Sequence, residues 1–207
     1  MSDFDLSAGL AHLQRDPVLA ALLLRADATP GVQPWWPPPE RGTPFAALIR
    51  SVVGQQVSVK AAASIEGRLR EVAPSLSPHE LVSLSPEELR ARGLSWAKVR
   101  TVHTLAQRAA EGLLDFEALS RSDDETVIEA LSAVPGIGRW TAEMFLMFAL
   151  RRPDVFSWGD AGLRKAVRTL YGPASGPEVA QKWSPYRSVA ARLLWWSLHN
   201  EPQRKET

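Results

Sequence analysis

The sequence contains no cysteine. That excludes disulfides, thiol nucleophiles, thiolate zinc sites and cysteine-ligated iron–sulfur clusters. Histidine is scarce as well: His12, His79, His103 and His199 are scattered and form no local ligand pair, so a zinc enzyme is not expected. Long apolar runs are missing. The longest, Val18 to Leu24 and Met144 to Leu150, are too short to cross a bilayer, so no membrane association is expected. The first five residues, Met1 to Asp5, are acidic and lack the basic-then-apolar order of a signal peptide, which points to the cytoplasm. Neither sign of charge dominates, since 24 Lys and Arg stand against 23 Asp and Glu.

Hydrophobic residues make up 45% of the 207, enough for one medium domain or two small lobes sharing a core. Charge is unevenly distributed. From Arg90 to Ala110 the chain carries Arg90, Arg92, Lys98, Arg100 and Arg108 with no acid among them. Such a segment either follows a phosphate backbone or forms a solvated helix face. Nearly every periodic stretch reads as helix, and no alternating strand stands out. Helices are expected over 5–15, 17–26, 45–53, 58–72, 85–92, 95–112, 123–133, 139–150, 163–171 and 186–199, with a short turn over 115–119. Between 29 and 44, Pro30, Pro34, Pro37, Pro38, Pro39 and Pro44 with Gly31 and Gly42 make a loop that continues neither neighbour. It carries Trp35 and Trp36, read first as packing residues. The class is all-α.

The segment from Ser122 to Phe145 is the most specific. Ser122 with Glu125 three residues on reads as a capping box, followed by an apolar stripe of Val127, Ile128 and Leu131. Pro135 stops that helix, and Gly136 and Gly138 turn the chain into a second one, apolar on nearly all sides and therefore expected in the core. The useful end of the second helix is its amino terminus. Backbone N–H groups there lack intrahelical partners and carry a partial positive charge. Glycines let a phosphate approach those donors, and Arg139 and Thr141 can add their own. A site of this kind grips a phosphodiester and reads no bases. A bare Pro-Gly-x-Gly is equally an ordinary corner between helices. Downstream, Asp154-Val-Phe-Ser-Trp-Gly-Asp160 places Asp160 just before another helix, a common position for an N-capping aspartate. A carboxylate there meets the positive end of the helix dipole.

Leu131 to Ala142, taken with the downstream Gly159-Asp160, resembles the DNA glycosylases named for their helix-hairpin-helix, Gly/Pro-rich loop and aspartate, the HhH-GPD superfamily. The likeness is greatest to the 3-methyladenine DNA glycosylase II, alkylation-repair branch, and runs over about residues 45–196. It implies one glycosylase core over 1–207: a central lobe of 44–165 holding the hairpin at 123–150, a second lobe of 1–43 and 166–207, and an active-site cleft between them. The extra mixed α/β domain that opens longer members is not expected. The implied reaction is excision of alkylated purines from double-stranded DNA in base excision repair. The damaged nucleotide is flipped out and its N-glycosidic bond hydrolysed, which leaves an abasic site.

Residue by residue, Asp160 matches the catalytic aspartate, stabilising the positive charge that develops on the sugar. Trp140, Trp195 and Met144 match the base pocket, and Met144 stands where the best-known members have an aromatic. Gly54-Gln-Gln-Val-Ser58 resembles the family's Gly-Gln-x-Val-Ser loop, with Gln56 in the place of the wedge that fills the emptied stack and Gln55 beside it. Gly136, Gly138, Arg139 and Thr141 match the phosphate-binding hairpin. Trp140 occupies the position of the Schiff-base lysine of strand-cleaving relatives, so no lyase activity is expected. The resemblance further implies a sodium or potassium ion on the main-chain carbonyls of Ser132, Val134 and Ile137, and no cofactor for the chemistry itself. The expected partner is damaged double-stranded DNA, with the protein monomeric, cytoplasmic and nucleoid-associated. Two other readings stay open: a non-catalytic hairpin DNA-binding protein, and a glycosylase for oxidised or deaminated bases.

Overall fold

The computed structural model describes residues 5–27 and 42–200; the Trp35-Trp36 loop lies outside them. Among the described residues there are twelve α-helices, one 3-10 helix and no strand. In order these are α1 (Leu6–Leu13), α2 (Pro17–Asp27), α3 (Pro44–Gly54), α4 (Val59–Arg70), α5 (Pro78–Val82), α6 (Pro86–Ala91), α7 (Trp96–Ala110), α8 (Phe116–Arg121), α9 (Asp124–Ser132), α10 (Arg139–Phe148) and α11 (Ala161–Tyr171). The 3-10 helix Pro177–Trp183 and α12 (Arg187–His199) follow.

Side-chain caps set most of the boundaries. Ser58, Ser77, Ser85 and Ser95 each accept the N–H three residues on, and Ser77 with Glu80 and Ser85 with Glu88 close full capping boxes. The box expected at Ser122 and Glu125 does not form. Asp123, one residue later, is the cap of α9 and accepts from Thr126 N and Thr126 Oγ1, while Glu125 is drawn to the Arg139 guanidinium. Two short elements, α5 and the 3-10 helix, went unread in the periodicity because five to seven residues hold too few apolar positions to define a stripe.

The chain divides into two compact units, Glu40–Leu150 and the pairing of Met1–Pro39 with Arg151–Thr207. The seam falls at Leu150, so residues 151–165 group with the terminal segments, whereas the family resemblance implied a central lobe of 44–165. In the Glu40–Leu150 unit, α3 packs against α4, α7 and α10, and α10 also packs on α9. Its Leu48, Ile49, Val52 and Val53 are all buried, each contributing about 1.5–3 kcal/mol by leaving water. In the other unit α12 is the hub for α1, α2 and α11, with Val189, Ala190, Leu193 and Leu194 wholly buried.

Candidate functional site

The hairpin lies within the Glu40–Leu150 unit. Ile137 N donates to Val134 O at 3.0 Å and closes the turn between α9 and α10. Gly136 sits at φ +91°, and a Cβ there would run into the Thr101 side chain, whose own Cβ and Cγ2 lie 3.2 and 3.3 Å from that point. Both backbone and space therefore require glycine. Every α-helix from α3 to α9 starts at a Thr, Ser or Asp side-chain cap; α10 starts at Gly138 with none. Ala142 N makes its bond to Gly138 O at 3.1 Å, and a Cβ on Gly138 would meet open space. Gly138 itself offers no side-chain oxygen to the start of α10, and a helix amino terminus is the end that suits an anion.

Two expected phosphate ligands are engaged within the unit. The Arg139 guanidinium is bidentate to Glu125 at 2.7 and 3.0 Å and also bonds Glu143 at 3.0 Å. Those bonds, Glu125 first, hold its proton more tightly than an ordinary arginine does. Thr141 is buried, and its hydroxyl accepts from Gln55 Nε2 at 3.1 Å. The same amide lies 3.4 Å from Gly136 O, so Gln55 ties the end of α3 to the hairpin. Gln56 is exposed at φ +54°, a left-handed conformation unusual without glycine. Trp140 and Met144 lie one turn apart on α10, and so on one face. The indole is 42% exposed and the thioether 7%. Met144 lines a cavity of about 360 Å³ with Ala47, Arg50, Ala62, Glu66 and Phe148; Trp140 is not part of its wall. Of the basic residues from 90 to 110, Arg90 donates to Leu94 O, Arg92 pairs with Glu71, and Lys98 donates to two carbonyls, so three of the five serve the fold.

Asp160 and Trp195 lie in the terminal unit, and here the structure brings two predicted residues together. Asp160 caps α11: its Oδ1 accepts from Leu163 N at 2.8 Å and from Trp195 Nε1 at 3.0 Å. The turn before it is held by Arg164, whose Nη1 donates to Trp158 O and Gly159 O at 2.9 and 2.8 Å. Further upstream, Asp154 accepts from Arg187 and Ser184, and Ser188 Oγ donates to Arg152 O at 2.6 Å. Gly162 matters for room: a Cβ there would stand 3.0 Å from Asp160 Oδ1 and 3.3 Å from Trp195 Nε1. The sequence assigned no role to Gly162 and Arg164, and showed Lys98 only as one of a basic run. A glycine in the first turn of a helix is a readable signal. The two cations give none, since their partners are backbone oxygens.

Among the described residues no cluster of three or more His, Asp or Glu could hold a metal ion, and no helix is long and apolar enough to cross a membrane. Comparison with known proteins adds a related sequence and two related structures. DNA-3-methyladenine glycosylase 1 of Schizosaccharomyces pombe is 33% identical over 166 residues, which is 75% of this chain and 73% of that one. A crystal structure of DNA-3-methyladenine glycosidase from Bacillus halodurans superposes with a TM-score of 0.77 at 37% identity, over 91% of this chain and 88% of that one. The S. pombe 3-methyladenine DNA glycosylase in complex with abasic DNA superposes with a TM-score of 0.79 at 29% identity, over 93% and 97%. Residues 49–184 match the HhH-GPD base excision DNA repair family, and the chain belongs to that superfamily.

Proposed function

We propose that this protein is a monofunctional DNA glycosylase that excises alkylated purines in base excision repair, with Asp160 as the catalytic residue. The observation that carries the reading is the mounting of Asp160. One carboxylate oxygen is fixed by a helix amino terminus and by an indole N–H, from two different elements, so the group is oriented before substrate arrives. Bond breaking leaves positive charge on the deoxyribose, and a fixed carboxylate stabilises that charge without reorganising. The same group can orient the attacking water, as in glycoside hydrolysis, but here with one carboxylate. An alkylated purine already carries positive charge and departs without a strong general acid. The Trp195 indole, bonded to Asp160, can offer its face to such a base, a contact of about 2 kcal/mol when dry.

The uncapped start of α10 binds the DNA backbone through main-chain donors, which suits a chain of net charge +1. Gln56 fills the gap left by the flipped nucleotide. The carbonyls of Ser132, Val134 and Ile137 suit a sodium or potassium ion: they are neutral oxygens, and Val134 O, already bonded to Ile137 N, keeps a second lone pair. Such an ion would tie the turn to phosphate. Hydrolysis by a carboxylate and a water needs no cofactor.

The test is mass analysis of bases released from methylated double-stranded DNA, with borohydride added in parallel. Release of free alkylated purine, its loss in Asp160→Asn, and no trapped covalent adduct are expected. No released base would reduce the chain to a hairpin DNA-binding protein; a trapped adduct would overturn the water-attack mechanism. Release of oxidised bases alone would move the substrate class.

A further inference from the structure

The end of α3 is finished in an unusual way. A helix leaves its last carbonyls without partners, and a glycine just beyond the end, in left-handed conformation, commonly folds the chain back to cover them. Here Gly54 is the last helical residue, Gln55 follows at φ −56° and ψ 130°, and the left-handed position falls on Gln56. The carbonyls are covered instead by Lys98, from the first turn of α7. Its ammonium donates to Val53 O at 2.8 Å and to Gln55 O at 2.7 Å. Both bonds are short and charge-assisted, a class about twice as strong as neutral bonds. Partial burial disfavours the charge and moves the ammonium below the ordinary lysine range, so this placement works against solvation.

One turn further along α7, the Thr101 hydroxyl lies 2.9 Å from Pro135 O, in the hairpin. Gln55 completes the circuit through its amide to Thr141 and Gly136. A single helix therefore braces both the hairpin turn and the Gln55–Gln56 turn, one with Thr101 and one with Lys98.

We propose that Lys98 is a positioning residue for Gln56: its two carbonyl bonds fix the turn that presents this side chain to the base stack. The proposal rests on Gln56 being the wedge. A side chain that must enter a duplex works best when its backbone is already in place, because ordering it during flipping slows the reaction. A lysine with two of its three donors committed to carbonyls is also poorly disposed to serve as one more phosphate contact.

The test compares Lys98→Met, Gln56→Ala and the double variant with the full-length protein. The substrate is a duplex holding one alkylated purine with 2-aminopurine next to it. Fluorescence of the 2-aminopurine reports unstacking by the wedge, and single-turnover excision reports rate. Lys98→Met is expected to lose most of the fluorescence rise and about tenfold in rate, as a displaced reactive geometry does. Affinity for undamaged duplex should stay within about twofold of the unsubstituted protein, since no phosphate contact is removed. The double variant should be no slower than Gln56→Ala alone. Lys98→Arg, which keeps a cation able to reach two carbonyls, should recover most of the rate, and it stands in should the methionine variant fail to fold.

Three results overturn the proposal. A tenfold loss on top of Gln56→Ala would show that Lys98 acts through something other than the wedge. A parallel loss of affinity for undamaged duplex would make it a phosphate ligand. Fluorescence and rate unchanged in Gln56→Ala would remove the wedge itself, and with it the reason for the brace.

Discussion

Adding one methyl group at Gly162 separates the stability of the fold from its chemistry. A Cβ there would lie 3.0 Å from Asp160 Oδ1 and 3.3 Å from both Trp195 Cδ1 and Nε1. Carbon contacts settle near 3.5 Å or more, so the carboxylate and the indole must retreat by about 0.2–0.5 Å in Gly162→Ala. The indole N–H bond to Oδ1, 3.0 Å long, is the one that lengthens, since the Leu163 N–H bond belongs to the helix itself. A weakened bond to a charged group costs about 1.5–3 kcal/mol at most. Alanine in a helix gains about 1 kcal/mol over glycine, so the net loss of stability is about 2 kcal/mol at most. Catalysis responds more steeply. A misplacement of about 1 Å removes about a hundredfold in rate, so a shift of this size predicts roughly tenfold. The assay is single-turnover excision of an alkylated purine, read beside thermal unfolding and the Trp195 indole N–H resonance. An unchanged rate together with a shifted resonance would refute the link between carboxylate placement and rate. An unshifted resonance would refute the steric argument.

Gly136→Ala should destabilise the hairpin by several kcal/mol and abolish DNA binding, because a Cβ at φ +91° is strained and collides with Thr101; unfolding and duplex affinity measured together check this. Thr101→Ala should not rescue it, since the backbone strain remains. Asp123 sits below the ordinary aspartate range through its bonds to Thr126. Its stabilisation is therefore present above the unfolded value and lost as pH falls through the lower folded one. Asp123→Asn, which caps without the charge, should lower stability somewhat at neutral pH and flatten the stability–pH curve below about pH 4; an unflattened curve would count against the cap.

The sequence was legible where function and local structure use the same residues. Asp160 shows itself as a helix cap and as a family aspartate at once, and the structure gives it the expected helix start, though α11 begins at Ala161 and not at Leu163. The hairpin glycines were readable as a turn, and the structure gives Gly136 a positive φ and starts α10 at Gly138 without a side-chain cap. Less was legible where a choice lay between near-equivalent residues. Asp123 outcompetes its neighbour Ser122 as a cap, and Glu125 leaves the expected box for Arg139. Arg139 and Thr141 looked like phosphate donors in the motif, yet their side chains meet Glu125, Glu143 and Gln55. The role of Lys98 had no signature at all. Its acceptors are carbonyls far away in the chain, and every residue supplies a carbonyl.

The reading stands on the charge of one carboxylate, and Asp160→Asn probes it with little structural disturbance. The amide oxygen can still accept from Leu163 N and Trp195 Nε1, so the cap survives while the negative charge goes. Single-turnover excision at saturating DNA should fall by about a hundredfold or more, with duplex affinity and unfolding temperature close to those of the unsubstituted protein. A rate within a few-fold of the unsubstituted protein would contradict the account and place the chemistry on another residue.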